Sequence, residues 1–532
     1  MRPSAQGDGS SSPSAEATPR PPREWPDVLT AVRCRAEEAP GRPALRSGDV
    51  ALTYDQLCRS AQSVACGLRR RGARPGDRVV LYMPNSIEWV VTALGCLWAG
   101  VAFVPLSVED PPARAAHAIR DCGATLVVAL EDAPALSSIT CTTWAELAAE
   151  PGDEAPYEAE PADLAYIIYT SGTTGAPKGV CIGRKAFGWS VAETVPVLGL
   201  GQHSRALAVS AFHFDGSFAT VFPALAAGGL LVIARREQLL FLRPFFDAVL
   251  SERVTHTSCS PSYLRLLLAS RQLHRLSSSD LVSLGLGGEE CQPADVAKLW
   301  QVLPHLRIFN YYGPTETTIS VTNYAVTADD VARGRVPLGW PHAGCRMVVV
   351  DEAGTVHEGP SAVGELYIGG EQLMNGYFGD EELTRQVVRG DIVAGLNMYK
   401  TGDLVEVDGY GRFFYAGRTD DVVKRNGVRI SLSELARALR SSNGADAACC
   451  ALFDNKGRPG IVAFVATGHG KAASAAEMLD HARSVMPANM LPDAIVLVDR
   501  LPLTSSGKAD WRRLLAEHGY PAWPPAPTAA GP

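Results

Sequence analysis

The stretch Thr170-Ser171-Gly172-Thr173-Thr174-Gly175-Ala176-Pro177-Lys178-Gly179 carries the clearest chemistry in the chain. Glycine lets the backbone turn so that successive N–H groups converge on an anion. The hydroxyls add donors, and Lys178 adds a full positive charge. This is a cradle for phosphates, but not the P-loop of kinases and GTPases, because the G-x-x-x-x-G-K-[ST] spacing is absent. A short glycine-rich loop is often only a polar hairpin; this string is long, and an apolar run, Leu164 to Tyr169, leads into it as a buried strand.

Four further stations combine reactive side chains with turn residues. Tyr311-Tyr312-Gly313-Pro314-Thr315-Glu316 puts an aromatic face and a carboxylate on one Gly-Pro turn. Thr401-Gly402-Asp403 is a second turn with a carboxylate, and Gly507-Lys508 puts a lysine on a third. In Phe212-His213-Phe214-Asp215-Gly216-Ser217 an aspartate stands among aromatic residues. A carboxylate buried in apolar surroundings calls for a cationic partner, and the alternative is an ordinary helix cap.

The string T-S-G-T-T-G-x-P-K-G resembles the signature of the AMP-forming acyl and aminoacyl adenylate synthetases, which include the adenylation domains of nonribosomal peptide synthetases. The resemblance runs from about Leu52 to Lys508. It implies an ATP site made of Thr170, Ser171, Gly172, Thr173, Thr174, Gly175, Lys178, Gly288, Glu289, Tyr311, Tyr312, Gly313, Thr315, Asp403, Tyr415, Arg418 and Lys508. Tyr312 then lies against the adenine and Glu316 helps to hold Mg²⁺, which prefers one or two carboxylates plus phosphate oxygens. Asp403 accepts from the ribose hydroxyls. Thr170, Lys178, Glu316 and Lys508 are the implied catalytic residues. Lys508 bridges the substrate carboxylate and the phosphate, because attack of one anion on another is costly without a bridging cation. Asp420 becomes a hinge, at a position where the composition also changes.

The resemblance also addresses the acid. In the amino-acid-activating branch the residue matching Asp215 pairs with the substrate's ammonium group. The remaining pocket positions carried over are Phe214, Gly216, Ala219, Ser258, Gly285, Gly287, Tyr311, Ile319 and Ser320, with Lys508 completing the set. None of the wall positions is charged, so a neutral side chain is expected. Their small size points to a roomy pocket and a bulky substrate, unless Tyr311 fills the room. Phe218-Ala219-Thr220 departs from the Val-Trp-Glu often seen in peptide-synthetase domains, which leaves an α- and a β-amine both open. The segment after Lys508 holds no Gly-Gly-x-Ser carrier motif, and no His-His-x-x-x-Asp-Gly condensation motif occurs. The expectation is a freestanding adenylation enzyme, a monomer or dimer, that hands its product to the phosphopantetheine of a discrete carrier protein. An acyl- or aryl-CoA ligase is the nearest alternative, and a catalytically inactive nucleotide-binding regulatory protein is the alternative from another class.

Elements must position these residues, and the totals allow them. At 532 residues the chain has room for several domains, and 46% hydrophobic with 20% charged residues is ordinary for a large packed core. A net charge of −8 gives no reason to expect nucleic acid or an anionic membrane as partner. The 12 cysteines are scattered with no C-x-x-C pair, which suits a reduced, cytoplasmic protein. Trp89 to Val108 carries no charge, but Gly95, Gly100 and Pro105 interrupt it, so it reads as a buried helix leading into a buried strand. Trp25 to Ala39 has helical spacing, and from the Ala51–Leu57 stretch to about residue 240 apolar strands alternate with amphipathic helices, which predicts an α/β fold in layers with mostly parallel sheets. Residues 345–415 predict a β-rich subdomain, and 25–416 together form the large core. A hinge at 417–421 leads to a small α+β domain over 422–516. Residues 1–24 and 517–532 have the composition of disordered tails, and the first lacks the apolar core of a signal peptide.

Overall fold

The computed structural model describes residues 27–131, 139–152, 155–170, 177–234, 242–419, 422–425, 427–442, 445–456, 458–467, 474–502 and 509–523. The predicted first tail, the loop residues Ser171 to Gly175, Asp420 and Lys508 lie outside them.

Two large sheets share one core. Strands Pro43–Ser47, Arg205–Ala208, Leu230–Ile233, His256–Cys259, Ser283–Gly287 and Arg307–Tyr312 run parallel, and antiparallel strands Val50–Thr53 and Thr322–Ala325 close the two edges. In the second sheet, Arg78–Tyr82, Ala102–Leu106, Leu126–Ala129 and Leu164–Thr170 are parallel, and Lys178–Gly183 returns antiparallel to Leu164–Thr170. Helices Tyr54–Arg70, Ile87–Ala99, Arg184–Leu198 and Phe218–Ala226 contribute to the same core as the inner faces of both sheets. This is the α/β layering that the strand–helix alternation predicts. Local signals act where expected. Thr53 caps its helix in a reciprocal box with Gln56, and Gly100 ends Ile87–Ala99 in the left-handed conformation.

Seven rings organise the middle of this core: Trp89, Phe103, Tyr166, Phe187, Phe212, Phe218 and Phe222. Phe218 meets Tyr166 edge-on at 5.2 Å and 86°, a favoured arrangement for aromatic quadrupoles.

Residues 345–418 form the predicted β-rich unit, an antiparallel sheet. The hairpin Val422–Arg425 and Val428–Ser431 follows, then a three-stranded sheet with helices Leu432–Arg440 and Ala475–Val485 over it. The chain packs further than the tail composition at 517 suggests. Tyr520 meets Phe453 edge-on at 4.9 Å and Asp454 N–H donates to Pro521 O, so one aromatic ring offsets the ordering entropy of the Pro- and Ala-rich segment as far as Trp523. Among the described residues no helix is long and apolar enough to cross a membrane.

Candidate active site

The site gathers at the carboxyl ends of the parallel strands of the first sheet, where α/β sheets open a crevice. Ser258 and Gly285 are register partners there, as are Gly287 and Tyr311. Tyr311 folds back over Gly285, so a Cβ on that glycine would lie 2.3 Å from the ring. Tyr311 therefore takes the space that Gly285 leaves, and this wall does not supply the room expected for a bulky substrate. Ser258 shares a hydrogen bond of 2.5 Å with Thr220, and the buried Ser320 Oγ has no protein partner.

Asp215 begins a short 3-10 turn between Phe212 and Phe218, both fully buried in the ring cluster. Asn85 clamps this segment, accepting from Phe212 N–H and donating to Ser210 O, each at 2.8 Å. The carboxylate is thus held still by packing on both sides. Its Oδ2 and the neighbouring Tyr166 hydroxyl are buried without a hydrogen-bond partner. Burial pushes the Asp215 carboxyl up to about 6, while a hydrogen bond from Thr315 works in the opposite direction. Beyond it, Gly216 is exposed and a Cβ there would meet nothing within 4 Å.

Thr315 belongs to the turn that carries Glu316, which links the two stations. Glu316 is completely buried. Lys178 Nζ lies 3.2 Å from its Oε1, Tyr377 donates to the same oxygen at 2.8 Å, and Arg429 Nη1 sits 3.2 and 3.3 Å from the two oxygens. Burial opposes the charge, but Arg429 and Lys178 hold this carboxyl well below the usual range. The turn itself is strained: Thr318 and Ile319 adopt φ of 59° and 70°, which β-branched residues rarely do. Buried Gln372 holds them by donating to Thr318 O at 3.1 Å and Ser320 O at 2.7 Å. Gly313 is required, since its Cβ would stand 2.6 Å from Ser320 Cα.

Lys178 faces Thr170 across the antiparallel pair that the phosphate loop connects, and Thr170 Oγ1 is buried without a partner. Asp403 lies opposite Arg418 in the β-rich sheet, contacts its guanidinium, and accepts from Tyr312 Oη at 2.6 Å. Burial, then Asp403, keep the Tyr312 hydroxyl protonated far above its ordinary range. Tyr415 is half-buried against the same β-rich core. Gly288 and Glu289 face the small domain: Glu289 accepts from Gly427 N–H at 2.8 Å and from Ser262.

Comparison with known proteins gives the family. The AMP-binding enzyme family model matches residues 32–378, and the model of its C-terminal domain matches 436–508. The chain is an AMP-binding enzyme. It is similar to the probable non-canonical nonribosomal peptide synthetase CymA of Salinispora arenicola, at 34% identity over 90% of this chain and 6% of that protein. The chain spans only 6% to 33% of the length of the first curated relatives it matches. Among solved structures, holo-PA1221, an NRPS protein containing adenylation and PCP domains, superposes with a TM-score of 0.82 at 27% identity, covering 93% of this chain and 84% of that one. An o-succinylbenzoate CoA synthetase from Bacillus subtilis shares the fold at TM-score 0.80 and 22% identity, covering 91% of this chain and 97% of that one. The family is thus that of the AMP-forming adenylate synthetases, close to the adenylation domains of nonribosomal peptide synthetases.

Sequence reasoning about this AMP-binding enzyme missed Tyr166, Asn85, Gln372, Tyr377, Lys424 and Arg429. All six touch or neighbour the stations above; Gln372 and Tyr377 stand close to glycines, Gly370 and Gly376, a signal that could have marked them, whereas Tyr166 lies within a strand and carries none.

Proposed function

We propose that this AMP-binding enzyme activates a neutral amino acid with ATP, forming an aminoacyl adenylate and pyrophosphate, and passes the aminoacyl group to the phosphopantetheine thiol of a carrier protein. The observation that carries the reading is Asp215, a half-buried residue whose Oδ2 is buried and unpartnered and whose proton affinity is raised by burial to about 6. Such a group is costly to leave alone and gains most from a substrate ammonium. A CoA ligase for a simple acyl acid has no use for it. The similarity to proteins that pair adenylation with PCP domains supports the carrier as acceptor.

In the first half-reaction Asp215 holds the amine and Lys508 the carboxylate, which attacks the α-phosphorus; Lys178 and the Thr170–Gly175 loop hold the departing phosphates. Tyr312 and Asp403 take the nucleoside, with Arg418 beside them.

Mg²⁺ fits the donors present. The described residues bring together no cluster of three or more His, Cys, Asp and Glu, so an ion at Glu316 draws its other ligands from phosphate and water, which suits Mg²⁺. When bound, it neutralises the phosphate charge. ATP–pyrophosphate exchange over α-amino, β-amino and des-amino acids tests the reading. Exchange with an amino acid that collapses in Asp215→Asn is expected; exchange with des-amino acids that survives the substitution overturns it in favour of an acyl-CoA ligase.

A further inference from the structure

Tyr166 stands inside the strand Leu164–Thr170, register partner of Phe103 on one side and Ile182 on the other. Its ring centroid lies 5.5 Å from that of Phe103, and it meets Phe187 and Phe218 edge-on, each at 5.2 Å. The residue is completely buried. Packed on three sides, the ring has little freedom in where it puts its hydroxyl. Phe218 N–H donates to Asp215 O, so one of the rings that hold Tyr166 is a single 3-10 turn along the chain from the carboxylate. Burial, and after it the nearby Asp215, keep the Tyr166 phenol protonated far above its ordinary range.

Two buried oxygens, Tyr166 Oη and Asp215 Oδ2, thus face the same part of the core, and neither has a hydrogen-bond partner among the described residues. They do not bond each other. A buried tyrosine hydroxyl ordinarily has a partner, and an unpaired one costs free energy. A substrate ammonium brings three N–H donors. Asp215 Oδ2 accepts one of them and supplies the opposite charge, but the cost of burying an ion pair is offset only when the remaining protons find acceptors as well. A phenol that stays protonated is a neutral acceptor. It takes a second N–H without adding a charge, so the ammonium and Asp215 remain a net neutral pair.

We propose that Tyr166 is a second amine-binding residue of this site, its hydroxyl accepting from the substrate ammonium beside Asp215. The proposal rests on the reading of Asp215 as the partner of an amine. It makes the phenol a determinant of specificity, because an acid without an amine leaves two buried oxygens unpaired in place of one. Tyr166 transfers no proton. It fixes where the nitrogen stands, and through it where the carboxylate meets the α-phosphorus.

Tyr166→Phe removes the oxygen and keeps the ring. ATP–pyrophosphate exchange is measured for wild type, Tyr166→Phe and Asp215→Asn over the protein amino acids, β-alanine and 3-aminobutyrate. The amino acid that exchanges fastest and ATP are then varied in turn, and the melting temperature of each free protein is recorded. In Tyr166→Phe the KM for the amino acid should rise about tenfold, the effect of losing one hydrogen bond to a charged group. The KM for ATP should stay close to wild type, and the melting temperature should be unchanged or higher, since the hydroxyl had no partner to lose. An unchanged KM for the amino acid overturns the inference. So does a parallel rise of both KM values, which marks general distortion of the fold. A variant that fails to fold also counts against it, because the hydroxyl is then bonded in the free protein. Exchange with none of these amino acids, or exchange that survives Asp215→Asn, is a different failure: the amine reading itself falls, and this inference with it.

Discussion

Replacing Asp215 by Asn has opposite effects on stability and on activity, and the structure fixes both signs. The carboxyl is raised from an ordinary 3.8 to about 6 by burial, and that gap corresponds to a penalty of about 3 kcal/mol at neutral pH, an upper figure because a partly open pocket admits water. Since the folded value lies above the unfolded one, the native state binds the proton more tightly. Stability is therefore lost as pH rises from about 4 to about 6, and the full penalty applies above that. The amide of Asn carries no such charge. The free Asp215→Asn enzyme should melt a few degrees higher than wild type at pH 8, and the difference should vanish near pH 4. Activity moves the other way, because breaking a buried ion pair costs about 3–5 kcal/mol, roughly a 150- to 5,000-fold loss of kcat/KM for an amine-bearing substrate. In wild type, kcat/KM should also fall about tenfold between pH 8 and pH 5 as the carboxylate protonates, a step absent from Asp215→Asn. Scanning calorimetry at several pH values and ATP–pyrophosphate exchange check the two halves. A variant less stable at pH 8, or one that exchanges amino acids normally, refutes the reasoning.

Three other perturbations have definite outcomes. Lys178→Ala removes a cation 3.2 Å from Glu316 and the proposed phosphate partner, and pyrophosphate exchange should drop about 100-fold. Asp403→Asn loses the charge facing Arg418 and Tyr312; the Km for ATP should rise roughly tenfold in steady-state kinetics, with kcat changed less. Gly285→Ala puts a methyl into the Tyr311 ring, which should cost about 1–3 kcal/mol in denaturant unfolding and alter the order of preferred acids in exchange assays.

The stations of the site were legible because each is a short string in which turn residues and reactive side chains are neighbours. The layering was legible for a similar reason: the strands around Arg78 and Ala102 and the helices at Thr53 and Ser431 carry their signals within a few residues. Two of Glu316's partners were not legible. Tyr377 and Arg429 stand 61 and 113 residues away in sequence, and only the pairing of Gly376–Tyr377 with the strand after the phosphate loop brings Tyr377 to Lys178. The pocket volume failed for a related reason. Counting small residues treats walls as independent, whereas Tyr311 occupies the space of a glycine two strand positions away. The phosphate loop between Ser171 and Gly175, Asp420 and Lys508 lie outside the described residues, so their roles rest on the resemblance alone.

The mounting of Asp215 bears on how such enzymes diversify. The segment that carries Asp215 is held by the packing of Phe212 and Phe218 and by Asn85, while Ser258, Gly285, Gly287 and Tyr311 sit on neighbouring strands of the sheet that this segment leaves. Mutations at those strand ends can drift without disturbing the anchor. A lineage built this way can exchange side chains at the strand ends over generations while keeping its carboxylate, and laboratory selection for new substrates should find its accessible variation at the strand ends, leaving the ring cluster untouched.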